Sequence, residues 1–234
     1  MIYDWQERTA MLVGEEMLDH FRNSTVAVIG VGGVGGYAAE MIVRAGVGHL
    51  IILDSDDVSV TNKNRQLLAL DSTVGRQKCD VLAERLKDIN PELDLIVIKE
   101  YLEAEKAGEV LGQYKIDFLV DAIDTLSPKL HLIKYCVDNG IPLVSSMGAG
   151  AKYDATKVRI ADVSKSFNCP LAYIVRKRGI WASRRDSRSF FQRNFLTRTR
   201  LFHARTGIRS LRSAQFPIFQ QFSVVSVLRL LLPT

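Results

Sequence analysis

The sequence predicts an α/β fold: a Rossmann-like, doubly wound, mostly parallel sheet with a glycine-rich phosphate loop, followed by an irregular basic tail. Three observations predict it. Short β-branched runs alternate with helical apolar stripes between residues 25 and 146, the pattern of strands joined by crossover helices. The first run flows directly into a glycine cluster that opens a helical stretch. The charge balance then inverts: residues 1–175 hold 18 Lys and Arg against 25 Asp and Glu, whereas residues 176–234 hold 13 against the single acid Asp186.

Taken in order, residues 5–21 read as an amphipathic helical arm. Residues 25–30 form the first strand, because Val26-Ala27-Val28-Ile29 is a continuous apolar run of the kind that a strand covered on both faces needs. A helix begins near Tyr37, and His49-Leu50-Ile51-Ile52-Leu53 gives the second strand. Residues 75–90 place Val81, Leu82, Arg85, Leu86 and Ile89 at helical spacing, and Pro91 ends that helix because its ring cannot continue one. Strands follow over 95–99, 118–121 and 143–146, with a helix over 127–138 that stops at Asn139-Gly140. No internal repeat is present.

Composition narrows the class. A chain of 234 residues with 47% hydrophobic and 24% charged residues is a globular domain, neither collagenous nor compositionally disordered. Cys79, Cys136 and Cys169 are widely spaced and form no C-x-x-C pair, which excludes a disulfide framework or a four-cysteine zinc site and predicts a reducing, cytoplasmic setting. Residues 1–8 lack the basic start and apolar stretch of a signal peptide. No run reaches the roughly 18 apolar residues of a spanning helix, so no membrane association is expected.

The chemistry concentrates after the first strand. Gly30-Val31-Gly32-Gly33-Val34-Gly35-Gly36 satisfies G-x-G-x-x-G, in which backbone N–H groups and a helix N-terminus meet phosphate. Asp54 ends the second strand, where a carboxylate accepts hydrogen bonds from ribose hydroxyls. Many such fingerprints bind NAD or FAD. Against that choice stands the polar stretch from Asp54 to Gln66, with Asp56, Asp57, Asn62, Asn64 and Arg65, followed by Lys78. These are parts that hold a triphosphate and Mg²⁺ while an acid attacks phosphorus. Asp121 and Asp124 fall at the carboxyl end of another strand, on the edge where open α/β sheets bind ligands.

These motifs, with Gly46-Val47-Gly48, the Asn-x-x-Arg-Gln block from Asn62 to Gln66, Lys78 and Asp121-Ala122-Ile123-Asp124-Thr125, resemble the ubiquitin-activating-enzyme-like adenylyltransferases. This is the family of the sulfur-carrier activators of thiamin and molybdopterin synthesis. Within it, the Thr-Asn-x-Asn-Arg-Gln and Asp-Ala-Ile-Asp forms and Gly148-Ala149-Gly150 are most similar to the tRNA threonylcarbamoyladenosine dehydratases. The resemblance covers about residues 1–178. It implies an ATP- and Mg²⁺-dependent, ligase-like enzyme that adenylates a carboxylate on an anticodon-loop adenosine of tRNA. It further implies a homodimer and a sulfur-transfer protein as a candidate partner.

By resemblance, the nucleotide-binding set is Gly30, Gly32, Gly33, Gly35, Asp54, Asp56, Asn62, Arg65, Gln66, Lys78, Asp121, Asp124 and Thr125. Arg8, Arg65, Lys78 and Asp124 form the catalytic set, Asp124 being the Mg²⁺ ligand. Arg8 matches an arginine that reaches into the neighbour's site in family dimers; otherwise it is an exposed arginine on an amphipathic helix. Cys169 before Pro170 is taken as structural, although a helix start can favour a thiolate. Cys79 and Cys136 read as core. The histidines have no metal spacing, and Asp71, Asp80 and Glu84 read as solvated.

We divide the chain into an adenylyltransferase domain, 1–178, and an Arg-, Ser- and Phe-rich tail, 179–234, without regular periodicity. Two origins for the tail stay open. The abrupt loss of glutamate and lysine fits a shifted reading frame. Arginines interleaved with Phe190, Phe191, Phe195 and Phe202 fit a basic arm for RNA. Two further functions are carried: adenylation of the Gly-Gly end of a sulfur-carrier protein, and nucleotide binding without turnover.

Overall fold

The computed structural model describes residues 3–148, 158–178 and 188–192. Five parallel strands make the sheet: β1 (Thr25–Ile29), β2 (His49–Leu53), β3 (Asp94–Ile98), β4 (Phe118–Asp121) and β5 (Leu143–Ser145). Their order is β3-β2-β1-β4-β5, so the chain builds outward on one side of β1 and then returns to build outward on the other. That reversal leaves a crevice between the carboxyl ends of β1 and β4, where open sheets of this type bind ligands. In register, Ile29 sits beside Leu53 on one flank and Asp121 on the other.

The helices are α1 (Glu7–Val13), α2 (Glu15–Arg22), α3 (Gly35–Ala45), α4 (Lys78–Ile89), α5 (Ala107–Leu111), α6 (Leu126–Asp138) and α7 (Pro170–Lys177). Alternation along the strands feeds two cores. Val26, Val28, Leu50 and Ile52 pack with Ile42 and Val43 of α3 and with Leu82 and Leu86 of α4. Ala27, Ile29, Ile51 and Leu119 pack with Leu130 and Ile133 of α6 and Ala172 and Val175 of α7. Cys79 and Cys136 lie in these layers as expected, and burial first, then the nearby carboxylates of Asp54 and Asp121 respectively, push each thiol up to about 12.

Two expectations are corrected, and a short helix is added to them. The arm over 5–21 is not one helix: Gly14, at φ +84°, breaks it into α1 and α2, and only α2 sends Leu18 and Phe21 into the core while Met11 and Leu12 of α1 are exposed. Helix α5 was not anticipated, being too short to show a stripe. Part of the tail is regular, since β7 (Arg188–Gln192) pairs antiparallel with β6 (Val158–Asp162). The pairing is long-range, and adjacent phenylalanines gave no alternation to read. The rest of 179–234, Ala149 and Gly150 lie outside the described residues. Among the described residues no helix is long and apolar enough to cross a membrane.

Candidate active site

The β1–α3 turn is shaped by its glycines. Gly30 has φ +87°, and a Cβ there would stand 2.9 Å from the Ala122 carbonyl oxygen, so the loop can lie against β4 only without a side chain. At Gly35 a Cβ would be 1.7 Å from the Gly30 carbonyl oxygen. This glycine is therefore a packing residue of the turn and does not line the cleft. Gly32 is the open one, where a Cβ would meet nothing closer than Gln66 Nε2 at 3.6 Å.

Asp54 ties the second strand to this loop. One carboxylate oxygen accepts the Val31 N–H at 2.8 Å, and the other accepts the Asp56 N–H at 2.8 Å. Lys78, the first residue of α4, is buried. Its Nζ donates to Asp56 Oδ2 at 2.6 Å and lies 3.9 Å from Asp54 Oδ1. The intervening loop is held by a capping box, in which Asn62 Oδ1 accepts the Ser59 N–H at 3.1 Å. Arg65 donates to the Thr61 carbonyl at 3.1 Å and to Asn64 Oδ1 at 3.0 Å. Gln66 borders the cleft and is buried, and its Oε1 has no hydrogen-bond partner among the described residues.

One cleft of about 930 Å³ collects Gly30, Gly32, Gly33, Asp54, Asp56, Asn62, Arg65, Gln66, Lys78, Asp124 and Thr125. Asp124 and Thr125 are exposed and stand at the start of α6. By strand order they flank the glycine loop on the β4 side, with Lys78 on the β2 side.

Besides Gly35, two expected site residues lie elsewhere. Asp121 points under the cleft floor, where its carboxylate binds Lys129 Nζ at 2.6 Å, with neither side chain exposed. The reason is register: Asp121 pairs beside Ile29 and is enclosed by β5 and α6, whereas Asp124 lies beyond the strand end. Arg8 is exposed on α1 and does not line the cleft of its own chain.

The sequence reading missed Glu100, Tyr101 and Leu102 after β3, Ser146 and Met147 after β5, and, as cleft residues, Asn168 to Leu171 at the start of α7. Their signal was position alone, since all but the last group follow strand carboxyl ends. Cys169, taken as structural, caps α7 through Sγ, which accepts the Ala172 N–H at 3.5 Å, while also bordering the cleft.

A phosphate loop, an ammonium and an exposed carboxylate around one crevice match an adenylyltransferase more closely than a dinucleotide enzyme. Residues 6–194 match the ThiF family.

The chain belongs to the ThiF family.

Among its relatives, the tRNA threonylcarbamoyladenosine dehydratase of Bacillus subtilis (strain 168) is 48% identical over 169 residues, 72% of this chain and 66% of that protein. The chain thus spans just under two thirds of this curated relative's length. The crystal structure of the E. coli tRNA N6-threonylcarbamoyladenosine dehydratase in complex with ATP superposes with a TM-score of 0.82 at 33% identity, covering 99% of this chain and 96% of that one. The molybdopterin-synthase adenylyltransferase of Escherichia coli (strain K12) is 30% identical over 156 residues, 67% of this chain and 61% of that protein. Like the expected fold, the resemblance to this family is borne out.

Proposed function

We propose that this ThiF-family chain consumes ATP to cyclise the N6-threonylcarbamoyl group of an anticodon-loop adenosine in tRNA. The observation that carries the reading is the flanking of one phosphate loop by Lys78 and Asp124, in a chain nearly half identical to a dehydratase over its matched residues. A carboxylate is a poor electrophile because its leaving group would be oxide. One carboxylate oxygen attacks the α-phosphorus of ATP and pyrophosphate departs. A nucleophile of the same side chain then attacks the activated carbonyl carbon, the ring closes with loss of a proton, and AMP leaves with the oxygen. The elements of water thus leave with AMP and pyrophosphate.

Proximity within one substituent supplies the nucleophile, so the protein chiefly supplies positioning and charge. The segment Gly32 to Val34, which lines the cleft, would present its backbone to phosphate, Asp54 and Gln66 would offer acceptors to the nucleoside, and Arg65 and Lys78 would balance phosphate charge. Mg²⁺ fits the donor set. The exposed Asp124 carboxylate borders the cleft on the β4 side of the glycine loop, and one or two carboxylates completed by phosphate oxygens and water are the usual protein share of a Mg²⁺ site. Asp124 would hold the ion, which when bound neutralises charge on the polyphosphate. Arg8 would complete the site of a second copy in a homodimer. Mixing Arg8→Ala with Lys78→Ala protein should then restore part of the lost activity through hybrid sites, and no recovery would reject the exchange.

The RNA would approach over α7. Residues 163–178 contain Lys165, Arg176, Lys177 and Arg178 and no acid, with Tyr173 exposed and the Arg176 guanidinium 5.7 Å from its ring centre. The β2 and β3 side of the cleft instead presents Asp56, Asp57 and Glu100.

Pyrophosphate release tests the function. It should be stimulated by tRNA bearing threonylcarbamoyladenosine and not by a sulfur carrier ending in Gly-Gly. Stimulation by the carrier alone would make the chain a sulfur-carrier activator, with a sulfur-transfer protein as its partner. ATP binding without release under either condition would make it a non-catalytic nucleotide-binding protein.

A further inference from the structure

We propose that Lys129, which lies outside the cleft, is a positioning residue that sets the carboxylate of Asp124. The proposal rests on the ATP-site reading above. Lys129 is wholly buried in α6, and its ammonium uses all three donors: Asp121 Oδ2 at 2.6 Å, Ser145 Oγ at 3.1 Å and the Ser146 carbonyl at 3.0 Å. Ser145 Oγ in turn donates to Asp121 Oδ2 at 2.6 Å. The other oxygen of Asp121 accepts the Ile123 N–H at 3.1 Å, and the Asp121 carbonyl accepts the Ser146 N–H at 2.8 Å.

Every one of these contacts ends on the two segments that leave β4 and β5. Those segments supply the cleft with Ala122 to Thr125 and with Ser146 to Gly148. Asp124 is exposed, and among the described residues its carboxylate has no hydrogen bond or ion pair that would hold it. Its location therefore follows from the backbone turn at Ile123, which Asp121 grips and Lys129 orders.

Stability alone is a weak reason for such a group. An apolar pair of similar volume commonly serves a core as well as a buried ion pair. A hydrogen-bonded ammonium, by contrast, fixes direction: it joins two strand ends and a helix at one atom, which a hydrocarbon cannot do. The network thus fits the need to hold an ion-binding carboxylate at a fixed place relative to the glycine loop.

The test uses the full chain and binding rather than turnover. Dissociation constants for ATP with Mg²⁺ and for AMP without it are measured for the parent, for Lys129→Met combined with Asp121→Leu, and for Ser145→Ala. The double substitution removes both charges together and leaves no buried ion unpaired. We expect each variant to keep its AMP affinity, the double variant to lose about tenfold or more in affinity for ATP with Mg²⁺, and Ser145→Ala to lose about threefold. Rescue of the AMP-to-ATP ratio in Lys129→Arg would support the positioning role.

If the double variant does not fold, Ser145→Ala decides, because it deletes a hydroxyl without stranding a charge. Variants that match a Mg²⁺-dependent parent, or that lose AMP and ATP affinity equally, overturn the proposal. A parent whose ATP affinity ignores Mg²⁺ overturns the ATP-site reading itself, and is recognised before any variant is compared.

Discussion

Lys78 Nζ lies 2.6 Å from Asp56 Oδ2, yet the two side chains differ sharply in setting: that of Lys78 is 6% exposed, that of Asp56 67%. The ammonium is buried by the sheet edge, while the carboxylate that pairs with it can swing into solvent. An incoming polyphosphate can therefore replace Asp56 as the partner of Lys78 without stranding a buried anion. On the proposed ATP-site reading, the exchange would give the nucleotide a preformed, partly desolvated cation, where electrostatic attraction is stronger than at the surface.

Replacing Lys78 or Asp124 by alanine should lower turnover by about 10²-fold or more, since each removes charge stabilisation near the reacting phosphate. The melting temperature of Asp124→Ala should stay close to the parent, because that side chain is already exposed, whereas Lys78→Ala should also melt lower, because it leaves the largely buried Asp54 carboxylate without its cation. Pyrophosphate release alongside thermal melting checks both halves. Near-parental activity would reject the site assignment.

Two glycines three residues apart, Gly32 and Gly35, should respond in opposite ways. Gly35→Ala forces a Cβ onto the Gly30 carbonyl, which cannot retreat from β4, and should cost about 3 kcal/mol or more of stability. Gly32→Ala meets only the far end of Gln66, so the fold should persist while the phosphate cradle is obstructed. Urea unfolding and ATP titration of both variants separate the effects. Loss of stability in Gly32→Ala would show that the loop is tighter than the contacts indicate.

Glu40 joins α3 to α4 through Arg85, at 2.5 Å and 3.2 Å, and pairs within α3 with Arg44 at 2.8 Å. Burial works to raise its carboxyl, but hydrogen bonds from Arg85 and Arg44 outweigh that and hold it below the ordinary value. Because the folded value is depressed, this stabilisation is complete above the unfolded carboxyl range and disappears as pH falls through the folded value. Glu40→Gln should therefore be less stable than the parent by about 1–2 kcal/mol at pH 7, with the gap closing below about pH 4. Unfolding curves across that range check it; a constant gap would mean that charge plays no part.

Lys177→Glu combined with Arg178→Glu should weaken tRNA binding by about tenfold at moderate salt and flatten its salt dependence, while leaving ATP affinity unchanged. Both residues are exposed and neither lines the cleft, so a change in nucleotide binding is not expected. Anisotropy of a labelled tRNA, measured at several salt concentrations, reads this directly. Unaltered RNA affinity would place the RNA on another face.

The sequence by itself determined the architecture and pointed to most of the residues that gather on the cleft, because those features are local. Val26 to Ile29 had to be a central strand as a continuous apolar run, and the glycines after it had to be a turn that backbone phosphate contacts can use. Asp54, Asn62, Arg65, Lys78 and Asp124 were recognisable by spacing and resemblance. The tertiary structure decided what depends on three elements meeting. Asp121 and Asp124 look alike in the sequence, three residues apart at one strand end. Register beside Ile29 and the cover of α6 bury the first against Lys129, and only the second faces the cleft. Lys129 itself carried no signal, since a lysine in a helical stretch reads as solvated until its neighbours are known. Gly35 likewise belonged to the phosphate motif by pattern, yet its missing side chain makes room for the Gly30 carbonyl. In each case one-dimensional spacing fixes which end of the sheet a residue reaches, while packing fixes whether its charge meets solvent or another buried charge.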